Sequence, residues 1–428
     1  MKLVSLSTEQ APPIFVPLRF FAVAPVFLLL AAVMLATSAG NPFANMHGPA
    51  LIAATHAITL GFISMIMLGA LQQVLPVMIG SSLPAPRLLS WLIQLPLVAG
   101  TLLLAGGFLL GRPELLSATW PALGLAFSVF ISAALFSLAK SAAQNASKTA
   151  IVLSILALGG TVILGMLLTY GYSTGLSLNF ASLATAHISL ALGGWVMLLI
   201  AGVSYQVVPM FQLTPPYSKW LTASFAPVIF VILLNKLILL VIAEPSRWAE
   251  FVADNLFWLF AIFFSLATLI LQHKRRRRIP DATLVFFRIG MISLLSVALF
   301  AITTQTFVSS ERLKIMTGLI FILGFAMSLI LGMLYKIVPF LIWFHLFRGG
   351  SFHQIPNMKE IIAEPWIWRH LWLHLCTLAA ALLAPCWMIA AWLLMLCLLL
   401  QGLLLGYTLF SAIAIYHRTL LQLEKHPS

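Results

Sequence analysis

The sequence predicts an all-α polytopic membrane protein with about twelve transmembrane helices, arranged as three four-helix arcs with pseudo-threefold symmetry. Three observations carry this: an apolar composition, a near-unbroken succession of span-length apolar stretches, and a repeat that recurs every four spans. Of 428 residues, 62% are hydrophobic and only 8% charged, and the mean hydropathy is +1.07. A soluble domain carries about 25% charged residues. A chain of this size cannot hide so many apolar side chains from water, so lipid has to act as its solvent.

A span needs roughly 20 apolar residues, and such stretches fall at 16–38, 49–79, 89–111, 117–139, 149–171, 183–212, 220–243, 255–272, 282–304, 314–342, 370–388 and 390–416. Only Pro385 separates the last two. The whole chain, 1–428, reads as one transmembrane domain with internal repeats at about 16–139, 149–272 and 282–416. The net charge of +13 sits in short loops, which fits the positive-inside rule and excludes a nucleic-acid partner. Sixteen basic residues fall on the side of the N-terminus, including the cluster Lys274 to Arg278, and four on the other: Arg112, Arg247, Arg312 and Lys314. Both termini are therefore expected in the cytoplasm, in a bacterial inner membrane. The cluster reads as a stop-transfer anchor on anionic lipid. Lys2 alone precedes the first apolar stretch, so no signal peptide is expected. The three cysteines, Cys376, Cys386 and Cys397, have no CxxC spacing and read as apolar filler.

The repeat is visible when the second, sixth and tenth spans are aligned on Pro76, Pro209 and Pro339. Fifteen residues earlier stand Gly61, Gly194 and Gly324; seven earlier stand Gly69, Gly202 and Gly332; three earlier stand Gln73, Gln206 and Lys336. Small residues let a neighbouring helix or a flat ligand approach the backbone. The prolines interrupt the hydrogen-bond ladder near one end of the span.

Twelve spans in three arcs, with His56 near the outer end of the second helix and glycine-rich sequence running on to Pro76, resemble subunit I of the haem-copper oxidases and nitric oxide reductases. The chain is also similar to the NnrS-like membrane proteins, which are linked to haem, copper and nitric oxide. The architectural resemblance covers most of the chain, and the sequence resemblance is confined to the three repeated helices. It implies that His56 matches the low-spin haem ligand of the second helix and that His187 matches the copper-ligand position of the sixth. Gly61 and Gly194 are then the candidates for giving a porphyrin room.

The tenth span departs from the family. His56 lies 20 residues before its proline and His187 lies 22 before; the equivalent positions are Leu319 and Thr317, and the span has no histidine there. A complete oxygen-reducing centre is not expected. On a regular helix the two-position offset between His56 and His187 is about 200° and 3 Å. That points them toward different arcs and disfavours one shared haem, leaving ligation by His56 alone as the simpler expectation. An isolated histidine at this depth also serves as an interhelical hydrogen-bond partner.

Other candidates are weaker. Met46 and His47 precede the second span, and both residue types suit copper. His370 and His374 are one turn apart and, with His345 and His353, form a group on the proline side; the neighbouring Trp368, Arg369 and Trp372 read as an interfacial belt. Lys236, beside Asn235, is an intramembrane charge that either pairs with a haem propionate or snorkels, and Lys336 reads as snorkelling. None of the ten acids lies deep in an expected span, which disfavours proton relays and proton-coupled carriers, and no Walker motif is present.

The expected function is that of an inner-membrane haem- or copper-binding protein with an oxidase subunit I-like fold. It would act in respiratory, nitric-oxide or metal handling. Two alternatives are a transporter or channel for a small neutral or anionic solute, and an accessory or assembly subunit of a respiratory complex with degenerate cofactor sites. The expected partners are the lipid bilayer and respiratory or accessory subunits.

Overall fold

The computed structural model describes residues 12–241, 247–277, 279–306, 310–347 and 355–425. Lys2, Glu9, Glu244, Arg278, Arg348 and His353 lie outside the described residues. Among the described residues there are no strands. Helices α1 (Phe15–Ala36), α2 (Pro49–Ile79), α3 (Pro86–Leu110), α4 (Pro113–Lys140), α5 (Ala146–Thr174), α6 (Phe180–Gln212), α7 (Lys219–Val241), α8 (Arg247–His273), α9 (Ala282–Thr306), α10 (Glu311–Phe347), α11 (Glu364–Leu383) and α12 (Met388–Lys425) make up the fold. Eleven are long and apolar enough to cross a membrane, so the chain is a polytopic α-helical membrane protein. The remaining helix, α11, has 20 residues. Glu364, Arg369, His370 and His374 lower its apolarity. It begins six residues earlier than the expected span, and the break around Pro385 falls where expected.

Local chemistry sets the helix ends. Asn145 and Asn179 accept hydrogen bonds from Lys148 N–H and Ser182 N–H, capping α5 and α6. Pro49, Pro86 and Pro113 stand in first turns, where the missing N–H has no partner to lose. At the far end of α3, Gly111 takes φ +58°, and the Arg112 N–H returns to the Gly107 carbonyl.

The three proline-aligned helices share a feature that the sequence did not announce. Each contains a π-helical stretch: Ala57–Ser64 in α2, Ser189–Met197 in α6 and Ile320–Met327 in α10. Every stretch ends twelve residues before its proline. Such i→i+5 stretches widen the turn and are rare, and here they fall in the same register relative to the three prolines.

The glycines explain the helix spacing. A Cβ on Gly61 would lie 2.1 Å from Phe27, and on Gly69 2.6 Å from Phe20, both of α1. At Gly194 and Gly202 it would meet the Cβ of Ala157 and Ala150 of α5, at 2.5 and 2.6 Å. At Gly324 and Gly332 it would meet Ser293 and Phe286 of α9, at 2.6 and 2.9 Å. Each repeated helix is thus pressed along its glycine face against the helix that precedes it by sequence, and the contacted residues are seven apart in every case.

Each long helix packs against the next along the chain, and α12 packs against α1. The inner faces of α2, α6 and α10 converge on a cavity of about 90 Å³, lined by residues including Met67, Ala70, Ile200, Val203, Ile330 and Met333. Trp195 donates its indole N–H to Ser64 Oγ at 3.1 Å, joining α6 to α2, and Phe211 of α6 meets Phe340 of α10 edge to face. Large apolar side chains such as Leu95, Ile163, Val231, Leu299 and Ile389 stand exposed on the outer surface, as lipid contact requires.

Gly202→Ala is expected to cost about 1–3 kcal/mol, because its Cβ meets another Cβ that cannot rotate away. Ala150→Gly should restore part of the loss in the double variant. Gly318→Ala, with nothing within 4 Å of the added carbon, should leave stability unchanged or slightly raised. Thermal midpoints in detergent test all three.

Candidate metal centre

His56 and His187 come together. Their ring centroids are 6.3 Å apart and the planes differ by 29°. His56 is the last residue of α2 before its π stretch, and His187 lies two residues before that of α6. Both are half-buried. His56 Nδ1 hydrogen-bonds the Ile52 carbonyl at 2.8 Å, and His187 Nδ1 bonds the Thr161 carbonyl of α5 at 2.9 Å. A carbonyl only accepts, so Nδ1 carries the proton in both rings and Nε2 keeps its lone pair. This is how a protein fixes the tautomer of a metal-binding histidine. Phe108 lies 6.3 Å from His56, nearly parallel at 14°, with the edge of Tyr172 against it. Gly165 of α5 abuts His187: a Cβ there would lie 3.0 Å from Cε1.

The 200° offset does not keep the rings apart. Position in the repeat does not set how near two side chains on different helices come, and the α2–α6 packing brings the rings to 6.3 Å. Gly61 and Gly194 do not line a ligand space: Phe27 and Ala157 fill the room they leave, and both glycines serve helix packing. His47 is exposed in the loop before α2, with its backbone N–H on Asn45 Oδ1. Met46 is tied through its N–H to Glu311 of α10. At the equivalent position in α10, the Thr317 hydroxyl turns back to the Leu313 carbonyl. Among the described residues no group of three or more His, Cys, Asp or Glu gathers as a metal site.

His370 and His374 are not a membrane-surface belt. Both are fully buried and every ring nitrogen is engaged. His370 Nδ1 meets the Tyr335 hydroxyl at 2.6 Å and its Nε2 meets Gln401 Oε1 at 3.3 Å. His374 Nδ1 meets the same Gln401 oxygen at 3.1 Å, and its Nε2 meets Ser328 Oγ at 2.7 Å. Gln401 donates in turn to Thr377 at 2.6 Å. The network welds α10, α11 and α12 together and leaves no free lone pair for a metal. Trp372, by contrast, is exposed, as a lipid-facing residue should be.

Two intramembrane lysines are paired. Lys236 forms an ion pair with Asp254 of α8 at 2.5 Å, so it is not held for a propionate. Lys336 pairs with Asp281 at 3.0 Å, and Arg277 reaches the same carboxylate oxygen at 3.4 Å. Burial pushes the Asp281 carboxyl up. The Thr283 hydroxyl, the Leu284 N–H and Lys336 outweigh that effect and hold it below its ordinary value.

Comparison with known proteins finds no matching family model and no matching curated sequence.

Two predictions follow from these networks. Gln401→Leu strands both buried histidines and is expected to cost about 1–3 kcal/mol for each group left unsatisfied. Trp372→Leu should be close to neutral, and unfolding in detergent compares them. Asp281, with its lowered folded-state value, contributes full stability above the ordinary carboxylate range and loses it as pH falls below about 4. Acid titration of Asp281→Asn should therefore show a shallower loss of stability than wild type over that range.

Proposed function

We propose that His56 and His187 would together hold a single haem iron in an oxidase subunit I-like cage. The carrying observation is the pair of facing imidazoles with Nδ1 pinned. A metal–imidazole bond is roughly 2.0–2.1 Å, so two imidazoles that shared one metal ion through Nε2 would have centroids no more than about 6 Å apart. The observed 6.3 Å lies close to that limit. When bound, a bis-imidazole haem supplies one-electron transfer. The protein's part is to fix both tautomers through Ile52 and Thr161, and to keep the surroundings apolar with Phe108.

In this reading the chain is a twelve-span protein of three four-helix arcs, with α11 added to the eleven long apolar helices. Three repeated facts support it: the register of the π stretches, the glycine contacts to α1, α5 and α9, and the return of α12 to α1. The basic-residue count supports a bacterial inner membrane with both termini in the cytoplasm. The outer end of the tenth helix carries Thr317 and Leu319 where the resemblance calls for ligands. We infer a haem protein of respiratory or nitric-oxide handling that is not a complete oxygen reductase.

Copper is the second reading, and a specific observation favours it. Two-coordinate binding between two imidazoles needs no slot for a macrocycle, and the glycines once expected to make that slot are filled by Phe27 and Ala157.

Protein purified from haem- and copper-replete cells decides between them. A Soret band and about one haem per chain by pyridine haemochrome support the first reading, and stoichiometric copper without haem supports the second. His56→Ala and His187→Ala should each abolish the six-coordinate spectrum or lower copper content at least tenfold. Wild-type protein free of both would reject the proposal.

A further inference from the structure

A second cavity opens at the proline end, opposite the histidine pair. Its volume is about 520 Å³, within the range of small-molecule sites. It lies where α2, α6 and α10 reach their prolines, and the first residues of α9 and α11 and the one-turn helix Met358–Ile361 complete its wall.

One wall is apolar. Phe340 stands between Phe211, edge to face at 6.3 Å, and Phe344, nearly parallel at 6.1 Å. The other wall carries charge. Arg277, Lys336 and Lys359 line it against Asp281 and Glu364, an excess of one cation. The acids do not cancel the cations evenly. Asp281 is already engaged by Thr283, Leu284 and Lys336, at 2.7, 2.9 and 3.0 Å. Its contact with Arg277 is long, at 3.4 Å, and leaves most of the five guanidinium donors free. The Lys359 side chain is exposed and its ammonium has no partner among the described residues.

A third observation points to a ligand. Gln73 lines the cavity, is only 6% exposed, and its Oε1 has no hydrogen-bond partner. A buried amide oxygen without a partner is costly, and such a group calls for an explanation. The amide oxygen and nitrogen exchange places by a simple flip, so Gln73 can present an N–H donor to the cavity. The polar residue three before the proline recurs in the repeat, and two of its copies, Gln73 and Lys336, line this one space.

We propose that this cavity binds an organic anion with an apolar chain. Arg277, Lys359 and Gln73 hold the charged head, and the aromatic wall built on Phe340 receives the chain. A purely apolar ligand leaves the cations and Gln73 without purpose, and an inorganic anion leaves the aromatic wall unused.

The test uses the full chain in phosphatidylcholine nanodiscs, titrated with decanoate by calorimetry. One saturable site per chain is expected, with decanol, equal in chain length but uncharged, giving only non-saturable partitioning. The double variant Arg277→Gln, Lys359→Gln alters exposed side chains, so its thermal midpoint should match wild type while decanoate affinity falls at least about tenfold. Gln73→Leu should weaken binding as well. Repeating the titration with phosphatidylglycerol in the disc identifies the natural source. Competition supports an anionic lipid as occupant of the site, and unchanged affinity supports a soluble anion. Equal saturable binding of decanol, or full affinity in the double variant, overturns the proposal.

Discussion

Close approach at six glycines sets the geometry on which everything else rests. In lipid there is no hydrophobic drive to press one helix on another, so association depends on how near two backbones can come. Gly61 and Gly69, Gly194 and Gly202, and Gly324 and Gly332 bring α2, α6 and α10 flush against α1, α5 and α9. With their outer faces fixed, the three helices turn their inner faces on one another around an apolar cavity. The histidine pair and the polar cavity then sit at opposite ends of the same three helices. About 20 residues separate His56 from Pro76, roughly 30 Å of helix.

The second constraint is the cost of an unsatisfied polar group where water is absent. It separates two histidine pairs that look alike in sequence. His370 and His374 use all four ring nitrogens on Tyr335, Gln401 and Ser328, and so act as interhelical fastenings. His56 and His187 each use one nitrogen on a carbonyl. Their remaining lone pairs lie on rings held about the width of a metal bridge apart. The i, i+4 spacing that favours a metal site in water-soluble helices therefore misleads here, and the pair distant in sequence carries the stronger ligand geometry.

The spans, their order and the glycine–proline register could be read from the sequence because hydropathy and spacing are one-dimensional signals. Boundaries differed most at the end of α12 and the start of α8, and at α11 Glu364 and Arg369 lie inside the helix although they interrupt the apolar run. The π stretches could not be read, since Ala57–Ser64 and Ile320–Met327 have no composition that distinguishes them from ordinary membrane helix. The partners of the buried groups were equally hidden: Gln401 lies 31 positions from His370, and Tyr335 lies 35 from it. A lone Gln and a lone Tyr in apolar runs were the available signal, because neither is placed deep in lipid without a partner. The pairing of Lys236 with Asp254 carries the same lesson, since each looked unpaired along its own helix.

The axis between the two ends also limits what the protein can do. Of the residues lining the central cavity, Ser204 is the only polar one, and the rest are aliphatic, Met or Phe. A proton or an ion moving from the charged cavity toward the histidines along this route would lose its hydration with no titratable side chain to replace it, at a cost of several kcal/mol. Asp281 and Asp254, the acids paired with intramembrane lysines, stand near helix ends and are already neutralised. Small apolar molecules meet no such barrier. The architecture therefore separates a neutral, lipid-like interior from two polar ends. Among the described residues lining this axis, no polar side chain but Ser204 stands between the charged cavity and the histidine pair.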